Sequence, residues 1–153
     1  SGKMGQAWVH DGTGWYWIDP SSGRMDAGGW RNIWGSWYYL SGSGKAVEGW
    51  MLDRGSWYYM QPGIAQMRTG WINDGTGWFL LSNSGAMRSG GWVQDNGNWY
   101  WLDGNGKMLT GWLQTGGAWY WLSPDNGRMA TGTVTVDGRA SQFAPSGRWL
   151  GYA

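Results

Sequence analysis

A tryptophan recurs along this 153-residue chain at steps of 20 to 22 residues, and six of these tryptophans are followed by a second one at a constant distance of seven residues. The six pairs are Trp8 and Trp15, Trp30 and Trp37, Trp50 and Trp57, Trp71 and Trp78, Trp92 and Trp99, and Trp112 and Trp119. Periods of this length are typical of proteins in which one small supersecondary unit stacks on the next. The sequence therefore predicts a repeat protein rather than a globule built around one core.

Each repeat has the sequence pattern of a β-hairpin. In the fifth repeat a short run, residues 91–94, is followed by Asp and Asn-Gly turn residues and then by an aromatic run, residues 99–102. A loop of two or four residues centred between Asp95 and Asn96 would place Trp92 directly opposite Trp99, whereas in repeats whose loop glycine falls later, as Gly35 and Gly55, a three-residue loop with a bulge would shift the pairing by one residue. In either register the first and third residues of the aromatic run share one face, and the middle residue points to the other.

Isolated two-stranded hairpins are marginally stable, so these hairpins must stack and bury one another's aromatic side chains. We predict an all-β fold, an elongated β-solenoid of about seven stacked β-hairpin repeats of about 21 residues in one repeat domain, residues 1–153. The last unit lacks both tryptophans, as a terminal capping repeat does. The expected parts are the tail of a preceding repeat at 1–7, repeats at 8–28, 29–48, 49–69, 70–90, 91–110 and 111–131, and a degenerate C-terminal capping repeat at 132–153.

Composition narrows the functional classes. The chain carries a net charge of +1 without a basic cluster, so nothing in it marks a surface for nucleic acid or anionic lipid. It has no apolar run long enough to span a membrane and no signal peptide at its start. The absence of cysteine suits an exported protein that forms no disulfides. With few aliphatic residues, the 17 Trp, 8 Tyr and 8 Met must supply most of the apolar surface.

The sequence offers no catalytic constellation. His10 is the single histidine and lies beside a turn, without the partners that a nucleophilic triad needs. Most carboxylates occupy turn positions, where they stabilise the local backbone. We therefore predict that the chain is not an enzyme and holds no metal and no cofactor.

Paired tryptophans at fixed spacing indicate more than core packing. Two indoles and a third ring that meet between hairpins form a box whose electron-rich faces suit a quaternary ammonium group. A methionine at the rim adds polarizable apolar contact for the methyl groups. Flat aromatic faces also stack on sugar rings, so both ligand classes fit the pattern.

The complete repeat resembles the choline-binding or cell-wall-binding repeat family. The shared pattern is Gly-Trp, a short turn, Trp-Tyr-Tyr/Trp-Leu, a glycine turn and Met-x-Thr-Gly-Trp, and it is clearest in residues 49–71 and 91–112. Members of this family accompany the catalytic domains of bacterial and phage cell-wall lytic enzymes and occur on surface proteins. The resemblance implies a secreted or cell-surface module, or part of a released phage lysin, that binds choline or phosphocholine on teichoic-acid-type polymers through several weak sites.

The resemblance also implies which residues form the ligand cages. Each cage would contain one of the six tryptophan pairs, a third aromatic wall from a neighbouring repeat and, often, a methionine. The expected third walls are Trp17, Tyr39, Tyr59, Trp101 and Trp121, and the expected methionines are Met67, Met87 and Met108. Several positions depart from the pattern: Leu80 replaces a third aromatic residue, Ala46-Val47 stands where a methionine is expected, Gly28-Gly29 and Gly90-Gly91 lengthen two connections, and the seventh unit has no tryptophan pair. We therefore expect about three to five working sites.

Three functions remain open on the sequence alone. The first is a module that binds choline, the second a carbohydrate-binding module that stacks its rings on a glucan-like glycan, and the third a structural spacer or adhesive stalk without a ligand. The sequence also leaves open whether the terminal repeats form a homodimer.

Overall fold

The computed structural model describes residues 7–153, and the fifteen elements in that range are all β-strands. They are β1 (Trp8–His10), β2 (Trp15–Trp17), β3 (Gly29–Ile33), β4 (Ser36–Leu40), β5 (Gly49–Asp53), β6 (Ser56–Met60), β7 (Gly70–Asn73), β8 (Trp78–Leu81), β9 (Gly91–Asp95), β10 (Asn98–Leu102), β11 (Gly111–Thr115), β12 (Ala118–Leu122), β13 (Gly132–Val136), β14 (Arg139–Phe143) and β15 (Trp149–Tyr152). Six antiparallel hairpins, β1–β2 to β11–β12, precede a three-stranded sheet in the order β13-β14-β15. The prediction of an all-β fold with about seven hairpin repeats is confirmed.

The chain forms two compact units. One comprises the described residues up to 72 together with 81–87, and the other comprises 73–80 and 88–153. The predicted tail of a preceding repeat, residues 1–7, lies outside the described residues apart from Ala7.

The tight turns fix a hairpin register that the sequence did not predict. In the fifth hairpin Trp92 pairs with Trp101, and Trp99 pairs with Gln94. The pairing is shifted by two residues from the direct Trp92–Trp99 alignment, so neither expected register occurs. The reason is the turn Asn96-Gly97, in which both residues have positive φ angles of 48° and 81°. A two-residue turn of this kind matches the right-handed twist of the strands and favours Asn-Gly. A shift of two keeps every side chain on its face, so the predicted sharing of faces holds.

The tail that follows each hairpin ties it to the hairpin before. The Met67 backbone N–H donates to the Trp37 carbonyl at 2.8 Å, while the next residue, Arg68, donates to Tyr59 of its own hairpin at 2.9 Å. The same interhairpin bond recurs at Ala46 to Trp15, Met87 to Trp57, Met108 to Trp78 and Met129 to Trp99. The backbone therefore holds residue 67 and its counterparts against the preceding aromatic strand.

The core is a series of small repeated clusters. The fourth residue of the aromatic run is almost completely buried in five hairpins, whereas Ile18 of the first run is half-buried; the five buried residues are Leu40, Met60, Leu81, Leu102 and Leu122. Burial of one aliphatic side chain per hairpin, with aromatic rings around it, gives each repeat its share of the hydrophobic stabilisation.

Two hairpins have a four-residue Asp-Gly-Thr-Gly loop, and its aspartate offers a pH-dependent test. The Asp11 carboxylate accepts hydrogen bonds from the Thr13 hydroxyl at 2.6 Å and from its backbone N–H at 2.8 Å. These two hydrogen bonds lower the pKa of Asp11 to about 2, and the bond from the Thr13 hydroxyl has the larger effect. Since the pKa lies below its unfolded value, the loop loses this stabilisation as the pH falls towards about 2.

We expect Thr13→Val to raise the Asp11 pKa, measured by carboxyl ¹³C NMR titration. The matched Thr76→Val in the other such loop should leave the Asp11 pKa unchanged, and an unaltered pKa in Thr13→Val would contradict this account.

Candidate functional site

An aromatic cavity opens between the β3–β4 and β5–β6 hairpins, and we call it the first cage. It has a volume of about 410 Å³. Its lining residues are Trp30, Trp37, Tyr58, Met67, Asn83 and Ser84. Trp30 meets Trp37 edge-to-face with ring centroids 6.5 Å apart, and it meets Tyr58 in the same way at 4.9 Å. The Trp30 ring thus stands at a steep angle to both of the other rings, as adjoining walls of a box do.

A second cage repeats this arrangement 62 residues later in the chain. Its lining residues are Trp92, Trp99, Tyr120, Met129, Pro145 and Ser146, around a volume of about 260 Å³. Trp92 meets Tyr120 at 4.9 Å and 70°, against 4.9 Å and 68° for Trp30 and Tyr58. Each lining residue has a counterpart of the first cage at the same offset, so the repeat builds the same site twice.

The walls come from opposite faces of two successive hairpins. Trp30 on β3 and Trp37 on β4 share a face because Trp30 pairs with Tyr39 and Asn32 pairs with Trp37. Tyr58 is the middle residue of the next aromatic run, so it projects from the other face of its hairpin and meets the rings of the hairpin before. The backbone bond from Met67 to the Trp37 carbonyl then holds the methionine at the rim.

The third aromatic wall differs in position from the sequence expectation. The cages are lined by the middle residue of the aromatic run, Tyr58 or Tyr120. The expected third residues instead pack edge-to-face on the first tryptophan of their own hairpin, with centroids 5.0 to 5.3 Å apart. These pairs are Tyr39 with Trp30, Tyr59 with Trp50, Trp101 with Trp92 and Trp121 with Trp112. The alternation of faces along the strand was the signal that could have identified the middle residue.

A third cavity, the terminal cage, has aromatic walls only. Trp112 meets Trp119 at 6.2 Å and 90°, and Trp149 at 5.7 Å and 74°. Tyr152 completes a volume of about 290 Å³. Trp149 and Tyr152 lie on β15, outside the hairpin register, so the repeat spacing gave no signal for them. Ser141 takes the place of the middle tyrosine here, and its pairing partner across β14 and β15 is Tyr152.

The other predicted site residues differ in how exposed their side chains are. Trp57 and Trp78 are 42% and 46% exposed, similar to Trp37 at 44% and Trp99 at 39%. Met87 and Met108 make the same interhairpin backbone bond as Met67. By contrast, Trp8 is buried with 3% exposure, and the half-buried Trp15 donates from its indole Nε1 to the Gly63 carbonyl at 2.8 Å. Trp50 packs on Tyr59, and Trp71 is half-buried.

The cages offer ring faces, a thioether and few polar groups. The Trp30 indole Nε1 donates to Asp53 at 3.1 Å, which fixes the ring and places a carboxylate beside the first cage. No cluster of three or more potential metal ligands occurs within residues 7–153. In the same range no helix is long and apolar enough to cross a membrane. Such a site suits noncovalent capture of a methylated cation or another group with apolar faces.

Family models match the chain over most of its hairpins. A model described as "Choline-binding repeat" matches residues 89–133, and one described as "Putative cell wall binding repeat" matches residues 7–25, 28–46 and 69–87. The chain belongs to the choline-binding repeat family. Repeats of this family are non-catalytic binding modules of the cell wall, so the prediction that this chain is not an enzyme is confirmed.

Solved structures of choline-binding proteins share the fold. Choline-binding protein F of Streptococcus pneumoniae, crystallised with a peptidoglycan analogue, is 33% identical with a TM-score of 0.82, over 94% of this chain and 51% of its own. CbpJ of the same species is 41% identical with a TM-score of 0.80, over 94% of this chain and 48% of its own. The endolysin of phage Cp-1, crystallised with choline, is 32% identical with a TM-score of 0.58, over 80% of this chain and 36% of its own. The repeats thus span about half the length of the two pneumococcal proteins. A comparison with curated proteins gives no significant match.

Proposed function

We propose that the first, second and terminal cages each bind the trimethylammonium group of choline, and that the module anchors a larger protein to a choline-bearing wall polymer such as teichoic acid. The observation that carries this proposal is the pair of cages in which two tryptophans, a tyrosine and a methionine recur at one offset and nearly one geometry. The choline present in the phage endolysin crystal supports the same ligand class.

A quaternary ammonium group matches the chemistry of these walls. It has no N–H to donate, so an aromatic box costs it no hydrogen bond, and each favourable ring face contributes about 0.5 to 2 kcal/mol. The methionine supplies dispersion contacts to the methyl groups. In the first cage the Asp53 carboxylate, held by the Trp30 indole, adds attraction for a cation.

Single cages should bind free choline weakly, since so small a ligand makes few contacts and each site should reach only a Kd of about 1 mM. A polymer with many phosphocholine groups engages several cages on one chain at once. Linked binding of this kind raises the overall affinity by about 10²- to 10⁴-fold without any new contact. We infer from this that retention on the outer surface of a cell, after secretion or release of the parent protein, depends on multivalency.

The deciding experiment compares choline with its neutral isostere 3,3-dimethyl-1-butanol, in which carbon replaces the charged nitrogen. We expect choline to bind at least about tenfold more tightly, because only the charged group gains the cation–π attraction. Tryptophan fluorescence of the complete chain would report both titrations, with a glucan oligosaccharide as a third ligand. Equal affinities for choline and the isostere would contradict a cation cage. Binding of the oligosaccharide alone would favour the carbohydrate-binding alternative. Tryptophan fluorescence that does not change with any of the three ligands would favour a structural stalk.

The homodimer through the terminal repeats stays a prediction. If choline drives it, sedimentation velocity should show a doubling of the mass on addition of choline, while 3,3-dimethyl-1-butanol should leave the mass unchanged.

A further inference from the structure

The methionine at the rim of a cage packs against a glycine in the tail of the following repeat. A Cβ atom added to Gly85 would lie 2.5 Å from Met67 Sδ, and one added to Gly147 would lie 2.2 Å from Met129 Sδ. The same contact occurs between Gly44 and Met25 and between Gly127 and Met108. Any side chain at these glycines would displace the thioether, so methionine and glycine form a matched pair.

In one such pair both members are replaced by alanine. Ala46 stands at the methionine position and Ala65 at the glycine position, with exposures of 1% and 0% in one hydrophobic cluster. Ala65 keeps the glycine-like backbone, with a φ of 60°, although this conformation is unfavourable for an alanine. The paired change conserves packing, because Ala65 adds a methyl group and Ala46 removes the thioether within the same buried cluster.

The junction beside this alanine pair is filled by the protein itself. Ala46 donates its backbone N–H to the Trp15 carbonyl at 2.8 Å, so it belongs to the junction of β1–β2 with β3–β4. There Trp8 is 3% exposed and packs 4.7 Å from Tyr38, the counterpart of Tyr58. The Trp15 indole Nε1 is bonded to the Gly63 carbonyl, whereas the equivalent tryptophans of the first and second cages are 44% and 39% exposed.

We propose that, at junctions where two tryptophan-paired hairpins meet, the residue pair at positions 46 and 65 and its counterparts determines which junctions bind a ligand. Methionine with glycine makes an open cage, and alanine with alanine makes a closed junction that serves as core. Trp8 and Trp15 then stabilise the stack instead of contacting choline. This inference rests on the proposed function for its ligand, but the closed state of the Trp15 ring has a readout without any ligand.

The opening variant combines Ala46→Met with Ala65→Gly. Choline binding is followed through the indole N–H resonances of ¹⁵N-labelled protein. The resonances of Trp15 and Trp37 are assigned by replacing each tryptophan with phenylalanine. In the unaltered chain we expect choline to shift Trp37 but not Trp15. In the opening variant Trp15 should also shift, with an affinity within about tenfold of that at Trp37. Hydrogen exchange at the Trp15 indole should be at least about tenfold slower than at Trp37 in the unaltered chain and should accelerate in the variant.

The closing variant is Met67→Ala with Gly85→Ala, which copies the alanine pair into the first cage. Choline should then no longer shift Trp37, while Trp99 in the second cage titrates as before and shows that the chain is folded.

Two results would overturn the proposal: a choline shift of Trp15 in the unaltered chain as large as that of Trp37, or a silent Trp15 in an opening variant whose Trp99 still titrates. Failure of the proposed function looks different, because neither Trp37 nor Trp99 would respond to choline in the unaltered chain. Hydrogen exchange at the indole N–H would then still test whether the junction at Trp15 is closed. Exchange at Trp15 as fast as at Trp37 would overturn the closed state of that junction.

Discussion

Replacement of Trp99 by alanine should weaken choline binding at the second cage by at least about tenfold while the repeats stay folded. Trp99 supplies a ring face worth about 0.5 to 2 kcal/mol of cation–π attraction together with apolar contact, and its loss opens one side of the box. The side chain is 39% exposed, so its removal leaves no buried cavity. The measurement is a choline titration followed at the indole N–H of Trp92, with thermal unfolding as the check on the fold.

A matched control is Trp34→Asn. Trp34 is 45% exposed, lies in the β3–β4 turn outside the cages and has a φ of 53°, which asparagine adopts more readily. Its replacement should leave choline binding intact. A general loss of folding in Trp99→Ala would identify Trp99 as a core residue instead of a cage wall, and unchanged binding at Trp92 would remove it from the site.

Replacement of Leu102 by alanine should strongly lower the free energy of unfolding of this chain. Leu102 is 1% exposed and ends the aromatic run of β10. Truncation of a buried leucine costs about 2 to 5 kcal/mol, because the transfer free energy and the packing around the new cavity are both lost. Urea unfolding followed by circular dichroism would give the change in the free energy of unfolding.

Leu52→Ala is the control for this prediction, since Leu52 also lies on a hairpin strand but is 56% exposed. Its effect should stay within about 0.5 kcal/mol. Similar losses for the two variants would mean that stability does not depend on the buried row of fourth residues.

The repeat pattern identified the tryptophan pairs and predicted the all-β fold, because both features depend on residues that are close together in the sequence. Constant spacing and turn residues specify a hairpin without reference to distant parts of the chain. The register was wrong for a local reason as well: the positive φ angles of Asn96 and Gly97 place the turn one residue later than expected. A family resemblance supplied the ligand class, and the family models agree with it.

The composition of each cage depended on contacts between repeats. Tyr58 enters the first cage because the face opposite its own tryptophans meets the preceding hairpin, and Trp149 enters the terminal cage because β15 pairs with β14. Neither contact follows from the spacing within one repeat. The Ala46-Val47 departure was visible in the sequence. The matching change at Ala65 could be recognised only in the structure, where the methionines of other repeats pack on the glycine at this position.

The sequence by itself thus determined that this chain is a series of aromatic hairpins, since strand alternation and turn geometry act over a few residues. The tertiary structure decided which rings face a cavity and which become core, because a ring's surroundings are set by residues 20 to 60 positions away, as the bond from the Trp15 indole to the Gly63 carbonyl illustrates.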